Sequence, residues 1–298
     1  MKFAYSFLLT LLVGGSLLVS AQQQQTSAPT LRIVTEVPGL PSDLFYGNTK
    51  VKPLRLRPGT NQPITIDDVD FFVQQQYLDF LGRFPDSVGF KGWQDTINNC
   101  PNGGFGLDNA QCDRVKVSAS FFQSQEFQTR GYFVYRFYET ALGRRPTYAE
   151  FVPDMQSIGG AQSPEQEAVS KTNYTNAFAQ RGEFAAKYNQ PQFQSPQAFV
   201  DELERTARVT LSNKAFLVGE LAAGRMTRAQ VLRAVAESRE VEVRFFNEAF
   251  VAMQYFGYLK RDPDQLGFAG WVDTLNRTGN YRHMIFGFIY SDEYRNRF

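Results

Sequence analysis

The sequence predicts an all-α fold: four degenerate helical repeats packed as one body over residues 67–298, preceded by a signal peptide and an extended Pro-rich segment. Three observations predict it. From Asp67 onward apolar residues recur at three-to-four spacing, as Val69, Val73, Tyr77 and Phe80 with Leu81 do, so they share one helix face. One residue pattern returns along the chain at fixed spacing. Pro85 and Pro263 stand where the first helix of a repeat has to stop, because proline cannot continue it. The composition, 43% apolar and 20% charged over 298 residues, is that of a globular chain and excludes disorder and collagen-like structure.

Residues 1–21 read as an export signal. Lys2 gives a positive start, residues 3–19 are apolar, and Val19, Ser20 and Ala21 place short side chains at a cleavage site before Gln22. A membrane anchor fits less well, since the stretch is slightly short, holds Gly14 and Gly15, and has no basic stop after it. No later run is long enough to span a bilayer. The expected product is secreted or periplasmic. Residues 22–66 open with four glutamines and carry six prolines, which favours an extended tether, with short extended pieces such as residues 31–34 packing on the body. Asp67 or Asp68 is suited to cap the helix that follows, since a carboxylate accepts its free N–H groups.

The repeat is the main feature. Phe72, Val73, Tyr77, Leu81, Arg83, Pro85, Asp86, Gly89, Phe90 and Trp93 return as Phe250, Val251, Tyr255, Leu259, Arg261, Pro263, Asp264, Gly267, Phe268 and Trp271. A third copy, with Phe133, Tyr138, Leu142, Arg144 and Pro146, degrades after Phe151, and a fourth near Phe199 keeps little more. The repeats are placed at about residues 67–130, 131–195, 196–246 and 247–298. Each closes on a helix-start signature: Ser124 with Glu126, Arg181 with Glu183, Ser238 with Glu240, and Ser291 with Glu293. Residues 238–259 should form one long helix joining two copies. Asp86 and Asp264 are expected to cap the helix after the proline stop. Tyr77, Tyr138, Tyr255, Trp93 and Trp271 are expected core anchors of the repeat, with sugar stacking as the rival role for the tryptophans. Arg83, Arg144 and Arg261 end the first helix of a unit, and Glu126, Glu183 and Glu293 begin the last. They read either as an arginine–glutamate pair in each unit or as separate helix caps.

The pattern F-V-x-x-x-Y-x-x-x-L-G-R-x-P-D-x-x-G-F-x-x-W, followed by S-x-E-F, resembles the bacterial domain-of-unknown-function family 4214. Residues 72–93 with 124–127, and 250–271 with 291–294, carry the resemblance. The chain departs from the pattern at Lys260, where glycine is usual, and across residues 150–161. The resemblance implies an all-α fold similar to the phycobilisome linker domain and a setting among cell-surface and exopolysaccharide-related proteins. It carries no catalytic residues.

The chemistry available is narrow. One histidine, His283, and two cysteines leave no His-rich metal site, no Cys-and-His zinc site and no Ser-His-Asp triad except one using His283. Once Lys2 leaves with the signal the two signs of charge balance, so nothing draws the protein to nucleic acid or anionic membrane. Outside the cytoplasm Cys100 and Cys112 can form one disulfide, contributing roughly 2–3 kcal/mol across a glycine-rich loop; a free catalytic thiol is the alternative. Gly103, Gly104, Gly106 and Asp108 match one copy of a calcium β-roll repeat, which is incomplete alone, so no metal or cofactor is expected. Residues 132–138 and 281–294 carry aromatics on several faces, as either a buried helix or a stacking surface would. Two function classes follow. One is a non-catalytic scaffold of the envelope or matrix contacting a surface polysaccharide or protein. The other is a carboxylate-pair glycan hydrolase, which needs no histidine.

Overall fold

The computed structural model describes residues 30–34, 43–50, 55–159 and 163–298; the expected signal peptide lies outside them. A small antiparallel sheet comes first, with β1 (Leu31–Val34), β2 (Asp43–Tyr46) and β3 (Thr49–Lys50) in that order. The remainder is helical. The first repeat holds α1 (Val69–Gln76), α2 (Ser87–Asn98) and α3 (Arg114–Gln123). Its closing serine starts α4 (Gln125–Leu142), and α5 (Tyr148–Ile158), α6 (Pro164–Ala179) and α7 (Gly182–Tyr188) complete the second. The third contributes α8 (Pro196–Ala207), α9 (Lys214–Ala222) and α10 (Arg228–Ala236). The last runs from α11 (Arg239–Gln254) through α12 (Gln265–Thr278) and α13 (Arg282–Ile289) to α14 (Asp292–Arg295).

The repeat's local chemistry sets these boundaries. Asp86 accepts from the Gly89 N–H at 2.8 Å and Asp264 from the Gly267 N–H at 2.8 Å, capping α2 and α12 after the proline stops. Ser124, Ser238 and Ser291 each cap a helix through the N–H three residues on. Residues 238–259 form one helical run, but it finishes in a π turn, Tyr255–Leu259, as α1 does in Tyr77–Leu81. Pattern reading at a 3.6-residue period does not anticipate these π turns.

Two expectations are corrected near residue 67. Asp68 is the N-cap residue of α1, yet its side chain makes no capping bond; it accepts from the Thr65 N–H at 2.7 Å and from Arg57. Asp67 instead pairs with Arg295 at 2.5 Å. The tether reading also stops short of residue 66. Arg57 pairs with Asp68 and Asp70, Arg55 lies over Phe71 and Phe298, and Ile66 is buried, so residues 55–66 dock on the body.

α4 is the axis of the core. Its Tyr132, Phe133, Tyr135, Phe137 and Tyr138 are all buried, so residues 132–138 are a core helix and not a stacking surface. Each such side chain contributes about 1.5–3 kcal/mol by leaving water. α3, α5, α8, α10 and α11 pack around it. The first and last repeats lie side by side: α3 meets α13, the two π turns touch, and Phe80 stands edge-on to Tyr258 at 5.2 Å. Among the described residues no helix is long and apolar enough to cross a membrane.

Candidate functional site

The last repeat builds a cleft of about 240 Å³ where the ends of four elements converge. The π turn supplies Tyr255, which is buried and stands edge-on to Phe288 of α13 at 5.0 Å. After the turn, Arg261 points back across it. Its guanidinium lies 5.3 Å above the Tyr255 ring and grips Glu293 with both edges: Nε donates to Oε1 at 2.6 Å and Nη2 to Oε2 at 3.0 Å. Nη1 donates to the Asp262 carbonyl at 3.1 Å. Pro263 ends the run, Asp264 caps α12, and two turns on Trp271 forms a wall. Ser291 and Glu293, opening α14, close the other side. The Arg261 hydrogen bonds hold the Glu293 carboxyl below the usual range, so the rim keeps its charge at neutral pH.

Residues 244–298 match a domain of unknown function (DUF4214). The match takes in most of α11, the π turn and α12 to α14, which is the whole cleft. No curated protein and no solved structure matches the chain. The first repeat reproduces the last repeat's geometry group for group. Arg83 Nε and Nη2 reach Glu126 at 2.8 Å each, Nη1 reaches the Phe84 carbonyl at 3.0 Å, and the guanidinium lies 5.0 Å over Tyr77. Tyr77 is edge-on to Phe121 at 4.8 Å. In the second repeat Arg144 grips Glu183 at 2.9 and 2.6 Å, reaches the Arg145 carbonyl, and lies 5.2 Å over Tyr138. The two roles weighed for these arginines, pairing with glutamate and capping a carbonyl, are performed by one guanidinium at once.

The second repeat differs from the last repeat's cleft where it matters. Asp154 stands at the tryptophan position and Arg181 at the capping-serine position. They pair with each other at 2.6 and 2.8 Å, and the Tyr138 and Tyr174 hydroxyls donate to the same carboxylate at 2.9 and 3.2 Å. Asp154 is buried, so this repeat bridges internally the space that an indole lines in the first and last repeats. Neither residue stands out alone in the sequence. Both become readable once the repeats are aligned, because a tryptophan and a serine are exchanged together for an aspartate and an arginine.

The expectation that Trp93 and Trp271 are core anchors needs correction. Both are half-buried and pack on the edge of the core, with Trp93 5.8 Å from Phe121. On α2 and α12 the buried positions are Ile97 and Leu275. The indoles have core on one side and solvent on the other. Tyr77, Tyr138 and Tyr255 are buried.

Cys100 and Cys112 form a disulfide, with Cα atoms 5.5 Å apart. The glycine-rich loop between them packs Phe105 over the guanidinium of the buried Arg114 at 4.3 Å. Among the described residues no group of three or more His, Cys, Asp or Glu side chains could hold a metal ion. His283 is exposed and its Nδ1 lies 3.1 Å from Asn280 Nδ2. Glu139 on α4 was not singled out by sequence. It is buried against Glu248, with Arg208 Nη2 at 3.1 Å, and burial followed by the Glu248 charge pushes its carboxyl up to about 7.

Proposed function

We propose that this protein is a secreted, non-catalytic helical scaffold of the cell envelope or extracellular matrix that binds a surface polysaccharide or an envelope protein through its aromatic clefts. The observation that carries the reading is the recurrence of one constellation, a half-buried indole beside an arginine-clamped glutamate, in the first and last repeats. Residues serving a single chemical step would not be needed in two places, whereas two like constellations suit a ligand that itself repeats. The carboxylates at the cleft support binding over hydrolysis. A glycosidase needs one carboxyl that holds a proton near neutral pH. Glu293 is held below the usual range by Arg261, and Glu139, which is raised, is 4% exposed and out of a substrate's reach. The charge pattern of residues 1–21 supports export.

The test is retention of residues 22–298 on envelope and exopolysaccharide fractions of the host, with released sugar assayed. Retention without sugar release is expected. Sugar release would revive the carboxylate hydrolase, and retention on no fraction would remove the binding role.

A further inference from the structure

We propose that the cleft beside Trp271 is a subsite for a single pyranose residue of a glycan. This rests on the binding reading above and names its ligand chemistry.

Trp271 and Phe288 give the cleft its apolar lining, and the half-buried indole is a platform for the C–H face of a sugar ring. Arg261 commits three N–H groups, two to Glu293 and one to the Asp262 carbonyl, and a guanidinium has five. Each Glu293 oxygen accepts one of those bonds, and Asp264 accepts from the Gly267 N–H at Oδ1 and from the Tyr255 hydroxyl, which still leaves acceptor lone pairs at the rim. Spare donors beside spare acceptors suit hydroxyl groups, which both give and accept. An ammonium ligand would leave the donors unused and face the guanidinium charge. The volume, about 240 Å³, falls below the roughly 300 Å³ at which drug-sized pockets begin and has room for one ring.

The repeats supply the internal contrast. Asp154 and Arg181 fill the corresponding space of the second repeat with their own ion pair, so the fold does not require an open cleft. In the last repeat Gly287 lines the opening and leaves it wide: a methyl group there would meet nothing within 4 Å. The first repeat has Ser120 at that position, its hydroxyl turned onto the Lys116 carbonyl at 2.9 Å.

Intrinsic tryptophan emission of the Trp93→Phe protein reports on Trp271 alone. It is titrated to tens of millimolar with the methyl glycosides of glucose, galactose, mannose and N-acetylglucosamine, and with tetramethylammonium. At least one glycoside is expected to shift the emission saturably. Gly287→Leu, which fills the opening with a better helix former, should weaken that response about tenfold or more with the melting temperature unchanged or raised. Silence with all four glycosides, an undiminished response in Gly287→Leu, or saturation with tetramethylammonium alone overturns the subsite. Envelope retention of Gly287→Leu separates the two claims. If wild type and variant are retained equally, the subsite falls and the scaffold stands; if neither is retained, both fall.

Discussion

Lys260 reaches Asp79 across the seam between the first and last repeats, its Nζ 2.9 Å from Oδ1. The two residues occupy different positions of the repeat. Where the first repeat has Asp79 and Gly82, the last has Gly257 and Lys260. Gly257 gives Phe80 its seat, since a methyl group there would stand 2.8 Å from the ring. Lys260 takes a left-handed backbone, φ 55°, that Gly82 and Gly143 adopt without a side chain. Arg297 adds a second cation, with Nη2 3.0 Å from the same carboxylate. Two π turns of like sequence thus meet through unlike residues, which fixes which repeat stands against which.

The seam predicts an asymmetry between its partners. Asp79→Ala would leave two half-buried cations facing each other without their carboxylate, a loss of about 3 kcal/mol, at the low end for breaking a buried pair. Lys260→Gly would leave Asp79 with Arg297, restore the repeat's glycine and release about 1–2 kcal/mol of left-handed strain. It should therefore be neutral or stabilising. Urea unfolding of the two variants decides this, and an Asp79→Ala protein within about 1 kcal/mol of wild type would refute it.

What could be read in the sequence was what is local. Asp86 with Gly89 and Ser291 with Tyr294 sit three residues apart, so their capping is written in adjacent letters. The aromatic repeat points to the helices and to Arg83 and Glu126 as recurring helix-end residues, but it leaves pairing and separate capping equally open, because the arginine-to-glutamate spacing differs between copies. Burial was less legible: the shared position of Trp93 and Trp271 told where they stand in the repeat, not that one face meets solvent. Lys260 is visible in the sequence as a departure from the pattern's glycine, but its pairing with Asp79, like that of Glu139 with Glu248, is not legible. They join distant segments through divergent positions, and no local pattern announces them.

Glu139 predicts a pH dependence. Its carboxyl is raised from 4.5 to about 7 in the fold, so between those values the folded protein binds the extra proton. Stability is then highest below the unfolded pKa and falls as pH rises towards 7, by about 3 kcal/mol for this group. The Lys260 ammonium, lowered to about 8 by burial against the pull of Asp79, acts above that window, where stability rises with pH. The melting temperature of wild type should fall between pH 5 and pH 7, and Glu139→Gln should flatten that slope. An equal slope in both proteins would assign the dependence elsewhere.

Two glycines three residues apart on α12 should respond with opposite signs. At Gly267 an added methyl would fall on the Tyr255 hydroxyl and stand 2.9 Å from the Asp264 carboxylate. At Gly270 it would meet nothing within 4 Å. Gly270→Ala should stabilise by about 0.5–1 kcal/mol through helix propensity. Gly267→Ala should destabilise by about 1–3 kcal/mol through overpacking, and Tyr255→Phe in the same chain should return part of that loss. Thermal melts of the three variants test the pair, and a stabilised Gly267→Ala would show that the tyrosine moves aside freely.

The arginine–glutamate clamp is tested by a double-mutant cycle on Arg83→Ala and Glu126→Ala. Arg83 is 38% and Glu126 22% exposed, so solvent screens their attraction, and exposed pairs are worth about 0.2–1 kcal/mol. Two-pronged geometry and the Tyr77 ring beneath place this pair towards the upper end. Arg130 also reaches Glu126, at 2.7 Å, so Glu126→Ala frees two cations while Arg83→Ala frees no carboxylate. The single losses should therefore be unequal, with the glutamate variant the weaker protein. A coupling of about 0.5–1 kcal/mol is expected. Coupling indistinguishable from zero would mean that Arg83 stabilises its helix end through the Phe84 carbonyl alone.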